Sequence, residues 1–374
     1  MLLSRSENPC SEWCIVGSVT GRWVVSVVVV AAVLPTAPAA ARWHLTDLGT
    51  LGGAFSRATA INDQGQVAGF STPAGGTTAD PHCFLWERGT MRDLGTLPGT
   101  ADCEPSLVDD AGEVLGASGS EAFLWRDGRF TDLGPGEADD INSHGVIVGM
   151  TGQHAFLWRD GTRTLLPEPA PVNGWVDAWA ILDDGTVIGD VFVRGGLGGT
   201  RAVEWRNGRL RFLALPPHAT ESTSNAIDGH GATVGTVLYS TGYHTHAAIW
   251  KAGRVTVIPA PNRGDGQVID GQGDVGVLST TGTGLNLSAT SFVWSNGKLL
   301  PLNRRVDFTC ANRHLLAGAR NRAFVWMNGK LTWLPARKSA VNDCNDHDQI
   351  VGWTVVKGAR VNRTQPVHAA LWSH

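Results

Sequence analysis

Eight tryptophans recur at a nearly constant interval along most of this chain, each at the end of a short apolar run. Trp86 and Trp372 are seven intervals apart, which gives a period of about 41 residues. A period of that length indicates one supersecondary unit used repeatedly. Since the tryptophan is present in every unit, we predict that these side chains form the core between units rather than a ligand platform. The eight are Trp86, Trp125, Trp158, Trp205, Trp250, Trp294, Trp326 and Trp372.

Each unit reads as four short strands. In the first unit the predicted strands are 56–61, 66–71, 82–86 and 90–94. An Asx residue and a glycine bound the first turn, as in Asn62 and Gly65, and a glycine three residues after the tryptophan marks the last turn, as in Gly89. Asn-Gly and Asp-Gly pairs between apolar runs are strong hairpin signals. Each unit is therefore predicted to be a four-stranded antiparallel meander.

The repeat predicts an all-β fold, an eight-bladed β-propeller of four-stranded antiparallel blades. The eighth unit stops at residues 372–374, where its fourth strand should begin, and residues 43–49 match that missing strand. A ring closed by this N-terminal strand leaves no unpaired sheet edge between the first and last blades. We therefore expect residues 42–374 to be a single propeller domain of eight repeats.

Residues 154–158 read His-Ala-Phe-Leu-Trp, and residues 141–149 read Ile-Asn-Ser-His-Gly-Val-Ile-Val-Gly. Both segments resemble the signature of the bacterial extracellular HAF-repeat family, and the resemblance covers nearly all of the chain after residue 41. It implies a secreted repeat protein and no particular reaction. The middle and later units depart most, since Leu182 and Ala311 replace the turn Asn and Val277 replaces the strand glycine.

The first 41 residues are typical of a secretory leader. Arg22 precedes an apolar run at 24–34 that is short for a bilayer span, and Ala-x-Ala patterns follow at 37–41. The polar stretch 1–18 is long for such a leader, so translation could start at Val16 or Val19. The alternative is an uncleaved membrane anchor. After cleavage we expect no membrane association and a secreted, extracellular bacterial protein.

Four cysteines follow the leader: Cys83, Cys103, Cys310 and Cys344. An even number in an exported protein suggests disulfides. Alignment of the last two units places Cys310 and Cys344 at one repeat position, that of Ile61, on neighbouring innermost strands. Of the three connectivities we favour Cys83–Cys103 with Cys310–Cys344. Four buried free thiols are the alternative.

Histidine precedes the repeat tryptophan by four residues in four units, at His82, His154, His246 and His368. These units are not adjacent, except for the eighth and first, and a metal site needs three or four converging ligands. We interpret each imidazole as a hydrogen-bonding group within its own blade, with a metal or acid–base role as the alternative. We predict no metal and no cofactor.

Residues 343–348 contain three aspartates and one histidine, which could indicate a cation loop. Alignment instead makes them the ordinary first turn of the eighth unit, with Asp348 in the glycine position. Glu204 is also unusual, because the position before the repeat tryptophan is aliphatic in the other units. A carboxylate there would face the packing between blades, and we expect it to pair with Arg201 or Arg206.

The connections between the second and third strands vary most in length. They span residues 353–367 in the eighth unit and only 319–321 in the seventh, and the long ones fall in units 8 and 1 and units 4 to 6. Variable loops on a rigid scaffold usually carry binding. We therefore predict a binding or scaffold module for an extracellular glycan or protein on this long-loop face. The candidate contacts are Trp175, Asp190, Arg194, Tyr239, Tyr243, His244, Lys357, Arg360 and Arg363.

The alternative is an extracellular hydrolase or lyase acting on a polysaccharide at the same face. Its acid or base would be Glu204, Asp177 or His246. Binding is favoured because no acid–base pair or catalytic motif is legible. The net charge of −4 and the lack of a basic stripe argue against a nucleic-acid partner.

Overall fold

The computed structural model describes residues 42–169, 174–193, 199–239, 244–282, 288–356 and 366–374. Every regular element in these residues is a β-strand, and the strands form eight four-stranded antiparallel sheets that follow one another in a ring. The predicted eight-bladed β-propeller is confirmed. None of the described residues belongs to a helix with the length and apolarity needed to cross a bilayer.

The strands of the first four blades follow the predicted meander, from the innermost strand outwards. Blade 1 contains β2 (Gly52–Ile61), β3 (Val67–Pro73), β4 (His82–Glu87) and β5 (Thr90–Gly95). Blade 2 contains β6 (Glu104–Val108), β7 (Val114–Ser118), β8 (Glu121–Arg126) and β9 (Arg129–Pro135). Blade 3 contains β10 (Glu137–Ile141), β11 (Ile147–Thr151), β12 (His154–Arg159) and β13 (Thr162–Leu165). Blade 4 contains β14 (Trp175–Ile181), β15 (Val187–Val193), β16 (Gly199–Arg206) and β17 (Arg209–Phe212).

The remaining blades keep the same order. Blade 5 contains β18 (Ala219–Ile227), β19 (Thr233–Tyr239), β20 (His244–Lys251) and β21 (Arg254–Val257). Blade 6 contains β22 (Arg263–Ile269), β23 (Val275–Thr281), β24 (Ser288–Ser295) and β25 (Lys298–Pro301). Blade 7 contains β26 (Asp307–Ala311), β27 (Leu315–Ala319), β28 (Ala323–Met327) and β29 (Lys330–Trp333). Blade 8 contains β30 (Ser339–Cys344), β31 (Ile350–Val355), β32 (Val367–Ser373) and, as its outer strand, β1 (His44–Gly49).

The N-terminal strand closes the ring as predicted. β1 runs antiparallel to β32, with His44 opposite Ser373 and Asp47 opposite Ala370. Asp47 also accepts a hydrogen bond from Nδ1 of His368 at 2.9 Å. Blade 8 is thus built from both ends of the described chain, which leaves neither end of the blade array with an unpaired edge.

The innermost strand of each blade carries a β-bulge at one repeat position. A bulge leaves one residue out of the ladder and redirects its side chain. Ser106 donates to the carbonyl oxygen of Ala138 in the next blade at 2.8 Å, and the amide of Asn342 donates to Ala58 at 2.7 Å across the ring closure. Five of the bulge residues therefore bond to the next blade around the central channel: Ser106, Trp179, Asn225, Gln267 and Asn342. The full set of eight is Thr59, Ser106, Asp139, Trp179, Asn225, Gln267, Thr309 and Asn342.

The bulge also explains the glycine on the second strand. A Cβ at Gly69 would lie 2.1 Å from the carbonyl oxygen of Arg57 on the innermost strand, so only glycine fits there. Blade 6 has Val277 at this position, and the residue directly opposite is Gly266. The departure seen in the sequence is therefore matched by a glycine on the partner strand.

The repeat tryptophans form the core between blades, as predicted. Trp125, Trp205, Trp250, Trp326 and Trp372 are buried, and the other three are partly buried. The indole of Trp205 donates to the carbonyl oxygen of Pro167 at 2.7 Å, in the connection that leads out of the preceding blade. The tryptophan thus packs in the seam between two blades and also holds the connecting segment between them by a hydrogen bond.

Both predicted disulfides are present. Cα–Cα distances are 5.2 Å for Cys83–Cys103 and 5.9 Å for Cys310–Cys344. One detail of the alignment was wrong, because the turn of blade 7 is one residue shorter than assumed. Ala311 is opposite Leu316 at the end of its strand, so Cys310 lies one position earlier in its blade than Cys344 does in its own, and Asn312 rather than Ala311 caps the turn.

Candidate functional site

The candidate residues that the structure describes all face one seam, between blades 4 and 5. On β14, Val176 and Ala178 pack towards blade 3, so Trp175 and Asp177 face the opposite side. The same alternation directs the other described candidates to this seam. They are Asp190, Glu204, Tyr239, His244 and His246. Candidates Arg194, Tyr243, Lys357, Arg360 and Arg363 lie outside the described residues.

This seam is more polar than the others. Its cluster of fully buried apolar residues contains Val237, Ala248 and Trp250, whereas the other seven clusters have at least seven members each. Buried serines of β18 take the place of aliphatic contacts. Ser222 accepts a hydrogen bond from the backbone N–H of Ala202 at 3.0 Å, and Ser224 bonds to Asp190. These hydrogen bonds join blades 4 and 5 alongside the small apolar cluster.

An aromatic pair lies at the long-loop end of this seam. Trp175 begins β14 and is directly opposite Phe192 on β15. Their rings stack with centroids 6.0 Å apart and an interplanar angle of 18°. Trp175 keeps 36% of its surface exposed. We expected Trp175 in a loop, and the strand position gives its ring a more rigid support.

Carboxyl groups lie directly below the aromatic pair. Asp177 and Asp190 are opposite each other on β14 and β15, two residues deeper in the seam than Trp175 and Phe192. Residues in this arrangement have Cβ atoms roughly 4.5–5.5 Å apart. Asp190 is 9% exposed and accepts hydrogen bonds from both the N–H and the hydroxyl of Ser224. Among the described residues Asp177 has no such bond from blade 5, and it is less buried than Asp190.

Burial raises the pKa of each of these carboxyl groups. The pKa of Asp190 rises to about 6 despite the bonds from Ser224, and burial also raises that of Asp177. Asp139, a bulge residue of blade 3, is raised to about 7, first by burial and then by the charge of Asp177. Burial thus favours the protonated form of these carboxyl groups, and a protonated carboxyl group can both donate and accept hydrogen bonds.

His246 is the one histidine of its repeat position without a carboxylate partner among the described residues. His82 bonds to Asp93 at 3.0 Å within blade 1, and His368 bonds to Asp47 within blade 8. His154 bonds at 2.8 Å to Glu168, which lies in the connection that leaves blade 3. The intrablade prediction is thus confirmed for His82 and His368. In blade 5 the position of Asp93 is held by Val257.

The environment of His246 is instead aromatic. Its ring packs edge-on against Tyr239 with centroids 5.5 Å apart, and its buried Nδ1 has no hydrogen-bond partner among the described residues. Burial and the nearby His244 lower the pKa of His246, so the neutral ring is favoured. Tyr239 was expected on an exposed loop, but it ends β19 and is half-buried against this cluster.

Glu204 lies at the other end of the seam. It lines a cavity of about 230 Å³ that opens between the first turn of blade 4 and the last turn of blade 5, on the short-turn face. The expected ion pairs with Arg201 or Arg206 do not form. Arg206 pairs with Asp184, and Arg201 donates to the carbonyl oxygen of Leu213. The expectation that Glu204 lies on the long-loop face is therefore wrong, and it shares no site with Asp177 or His246.

The aspartate-rich segment of blade 8 is a structural turn, as predicted. Asp348 takes the glycine position with φ +57°, and its carboxylate accepts from the amide of Asn312 and the ring of His314 in blade 7. Within the described residues, no three His, Cys, Asp or Glu side chains are arranged to hold a metal ion.

Phe192 and Ser224 of this seam, and Asp139 of the neighbouring blade 3, were not foreseen from the sequence. Phe192 could have been found, because it lies on the same face as Asp190 and directly across from Trp175 once the strand register is set. Asp139 could not, because its position depends on a bulge that no residue type marks.

No protein-family model matches the chain, and no curated protein matches it significantly. Solved structures do match. Dipeptidyl peptidase 4 from Porphyromonas gingivalis is 8% identical with a TM-score of 0.51, over 80% of this chain and 57% of that one. The β-propeller domain of the Trilobed protease from Pyrococcus furiosus is 12% identical with a TM-score of 0.47, over 76% and 96%.

A third match is the extracellular domain of a putative one-component system from B. thetaiotaomicron. It is 9% identical with a TM-score of 0.42, and the match covers 83% of this chain and 51% of that domain. The chain thus spans only about half of this extracellular domain and of the dipeptidyl peptidase. At these identities the likeness establishes a shared propeller fold and nothing about activity.

Proposed function

We propose that this protein is a secreted binding module that holds an extracellular glycan at the long-loop end of the seam between blades 4 and 5. The observation that carries the proposal is the exposed, stacked pair of Trp175 and Phe192 directly above the carboxyl groups of Asp177 and Asp190. An aromatic face packs on the apolar face of a sugar ring, and carboxyl groups satisfy its hydroxyls. Binding sites of this kind combine apolar walls with a few polar groups that fix orientation.

Two disulfides support an extracellular location, because such bonds persist in oxidising compartments. The leader-like residues 1–41 lie outside the described residues, so cleavage and secretion are part of the proposal. Membership of the HAF-repeat family is likewise proposed from the repeat residues alone. An N-terminal sequence of the exported protein beginning near residue 42 would support the proposal, and an intact leader on the exported chain would contradict it.

The binding proposal is tested with neutral hexasaccharides of glucose, xylose and N-acetylglucosamine, measured by isothermal titration calorimetry. We expect one of these glycans to bind, and Trp175→Ala to weaken it at least tenfold without changing the melting temperature. The matched control is Leu165→Ala, which removes another exposed apolar side chain on the neighbouring blade and should leave binding intact. Equal binding by the parent and Trp175→Ala would contradict the proposal.

A second candidate function is hydrolysis or lysis of the glycan at this same place. It is favoured by the pKa of Asp139, which lies near 7 next to Asp177 and suits a general acid. Release of reducing ends from the bound hexasaccharide, lost in Asp177→Asn, would support it. Saturable binding with no product would leave binding as the function.

A further inference from the structure

The cavity beside Glu204 is a second concave site on this propeller. Its floor is made of buried Ile188, Thr233 and Trp250, one from blade 4 and two from blade 5. The turns at 182–186 and 251–253 form its mouth on the short-turn face. Its volume of about 230 Å³ corresponds to roughly eight water molecules at liquid density, which is the size range of a single small ligand.

The sequence explains why a cavity exists at this seam. The position before the repeat tryptophan is filled elsewhere by aliphatic side chains, and Leu85, Leu124 and Leu371 are buried there in their seams. In blade 4 this position is Glu204, whose carboxylate cannot fill the apolar space. The first turn also departs here, since Leu182 replaces the capping Asn. Both departures lie in the lining of this cavity.

The charges around the cavity are not paired with one another. Arg211 is directly opposite Glu204 in the strand register, yet no ion pair joins them. Arg206 bonds to Asp184 and Thr186 and is therefore occupied. Lys251 lies across the mouth on blade 5 and has no ion-pair partner among the described residues. Within the described part of the chain, Arg211, Lys251 and Glu204 thus line a common space without an ion pair between them.

This pattern specifies a ligand that carries both an anionic group and hydrogen-bond donors. A guanidinium binds a carboxylate in a two-point contact, and an ammonium adds to it as a point charge. A carboxylate such as Glu204 accepts hydrogen bonds and needs a donor, for which a sugar hydroxyl is suited.

We propose that this cavity binds an acidic sugar of the hexuronic acid class, with its carboxylate on Arg211 and Lys251 and a hydroxyl on Glu204. The site lies on the short-turn face, so the proposal does not depend on the glycan site at Trp175. A neutral glycan could fail to bind at the long-loop end while this site remains as described.

The test measures binding of glucuronate to the mature protein by calorimetry at low salt. Three control compounds are measured in the same way. Glucose lacks the carboxylate, inorganic sulfate is an anion without a sugar ring, and alanine carries a carboxylate together with an ammonium group. We expect saturable binding of glucuronate, with glucose, sulfate and alanine each at least tenfold weaker. No saturable glucuronate binding, or binding of any control as tight as glucuronate, would overturn the proposal.

Two variants locate the site. Arg211→Gln should weaken glucuronate at least tenfold, and because Arg211 is exposed the protein should fold normally. Glu204→Leu restores the aliphatic residue of the other seams, so it should abolish binding and raise the melting temperature. Leu165→Ala, on blade 3, should bind like the parent. Unchanged glucuronate affinity in Arg211→Gln would overturn the proposal, even if Glu204→Leu failed to fold.

Discussion

The ring is closed by β1, and one leucine tests how much that strand stabilises the protein. Leu48 is 6% exposed and packs among Ala58, Phe84 and Leu371, at the seam of blades 8 and 1. Replacing a buried leucine by alanine costs about 2–5 kcal/mol, depending on how far the cavity collapses. Since several large neighbours surround Leu48, we expect Leu48→Ala to cost about 3 kcal/mol.

The repeat supplies a matched control for this variant. Leu133 on β9 occupies the same position, between an aspartate and a glycine, and is 4% exposed in the seam of blades 2 and 3. β9 is continuous with its blade, whereas β1 joins blade 8 only through noncovalent contacts. If β1 is a true strand of the ring, Leu48→Ala and Leu133→Ala should cost the same to within about 1 kcal/mol.

Urea denaturation followed by tryptophan fluorescence and circular dichroism measures both variants. Coincident transitions allow the midpoint and slope to be converted into a free energy of unfolding. Suppose that Leu48→Ala changes the free energy of unfolding by no more than about 0.5 kcal/mol, whereas Leu133→Ala lowers it by the amount expected for a buried leucine. Then β1 is not part of the cooperative ring. That result would refute the argument for closure.

Three further predictions concern the core, the channel and the disulfides. Trp372→Ala, in a fully buried position, should cost about 3–5 kcal/mol in urea denaturation, whereas Trp175→Ala should stay within about 0.5 kcal/mol. Because burial raises the pKa of Asp139 to about 7, the folded state holds its proton more tightly, and stability should fall as pH rises from about 4 to 7. The free energy of unfolding of Asp139→Asn should therefore exceed that of the parent protein by on the order of 1–2 kcal/mol at pH 8, and the two should be almost equal at pH 4. Replacing Cys310 and Cys344 together by serine should lower the unfolding free energy by about 2–4 kcal/mol while circular dichroism still shows native strands.

Each of these has an outcome that would count against it. A normal melting temperature for Trp372→Ala would mean that the seam does not depend on the repeat tryptophan. A parental pH profile in Asp139→Asn would assign the titration to another carboxyl group. Loss of strand content in the double serine variant would make that disulfide a requirement for folding.

The architecture could be predicted from the sequence because each repeat carries its own turn signals. Asn62 caps its turn by accepting a hydrogen bond from the N–H of Gln66, and Gly65 takes φ +76°. Because each turn needs these residue types at fixed positions, the turns can be recognised in the sequence. The closing strand was predictable for the same reason, since residues 43–49 match a strand of the repeat. Disulfide connectivity followed once the blades were placed in order.

The contacts between blades could not be predicted in the same way. Ser106, Asn225 and Asn342 occupy one bulge position and perform one task, yet their residue types differ. Turn residues add a second distinction, because Asn62 donates its amide to the next blade, whereas Asp109 caps its own turn and has no amide hydrogen to donate. Such bonds join residues about one repeat apart, and only the folded register reveals them.

The candidate site was predicted in part. Strand alternation was sufficient to direct Trp175, Asp177 and Glu204 to one side of blade 4, but their separation along the seam depends on register. The register places Glu204 towards the short turns and Trp175 at the long loops. Sequence reasoning gathered these residues into one site, and the structure divides them into two.

The central claim is that ligands occupy the seam between blades 4 and 5. Hydrogen–deuterium exchange of the mature protein, with and without the hexasaccharide that binds, tests it most directly. We predict slower exchange at 175–177, 190–192 and 244–246, with no change at 121–126 and 154–159 on the low blades 2 and 3. Protection confined to the long connection of blade 1, at 74–81, with none at the seam of blades 4 and 5, would contradict the account.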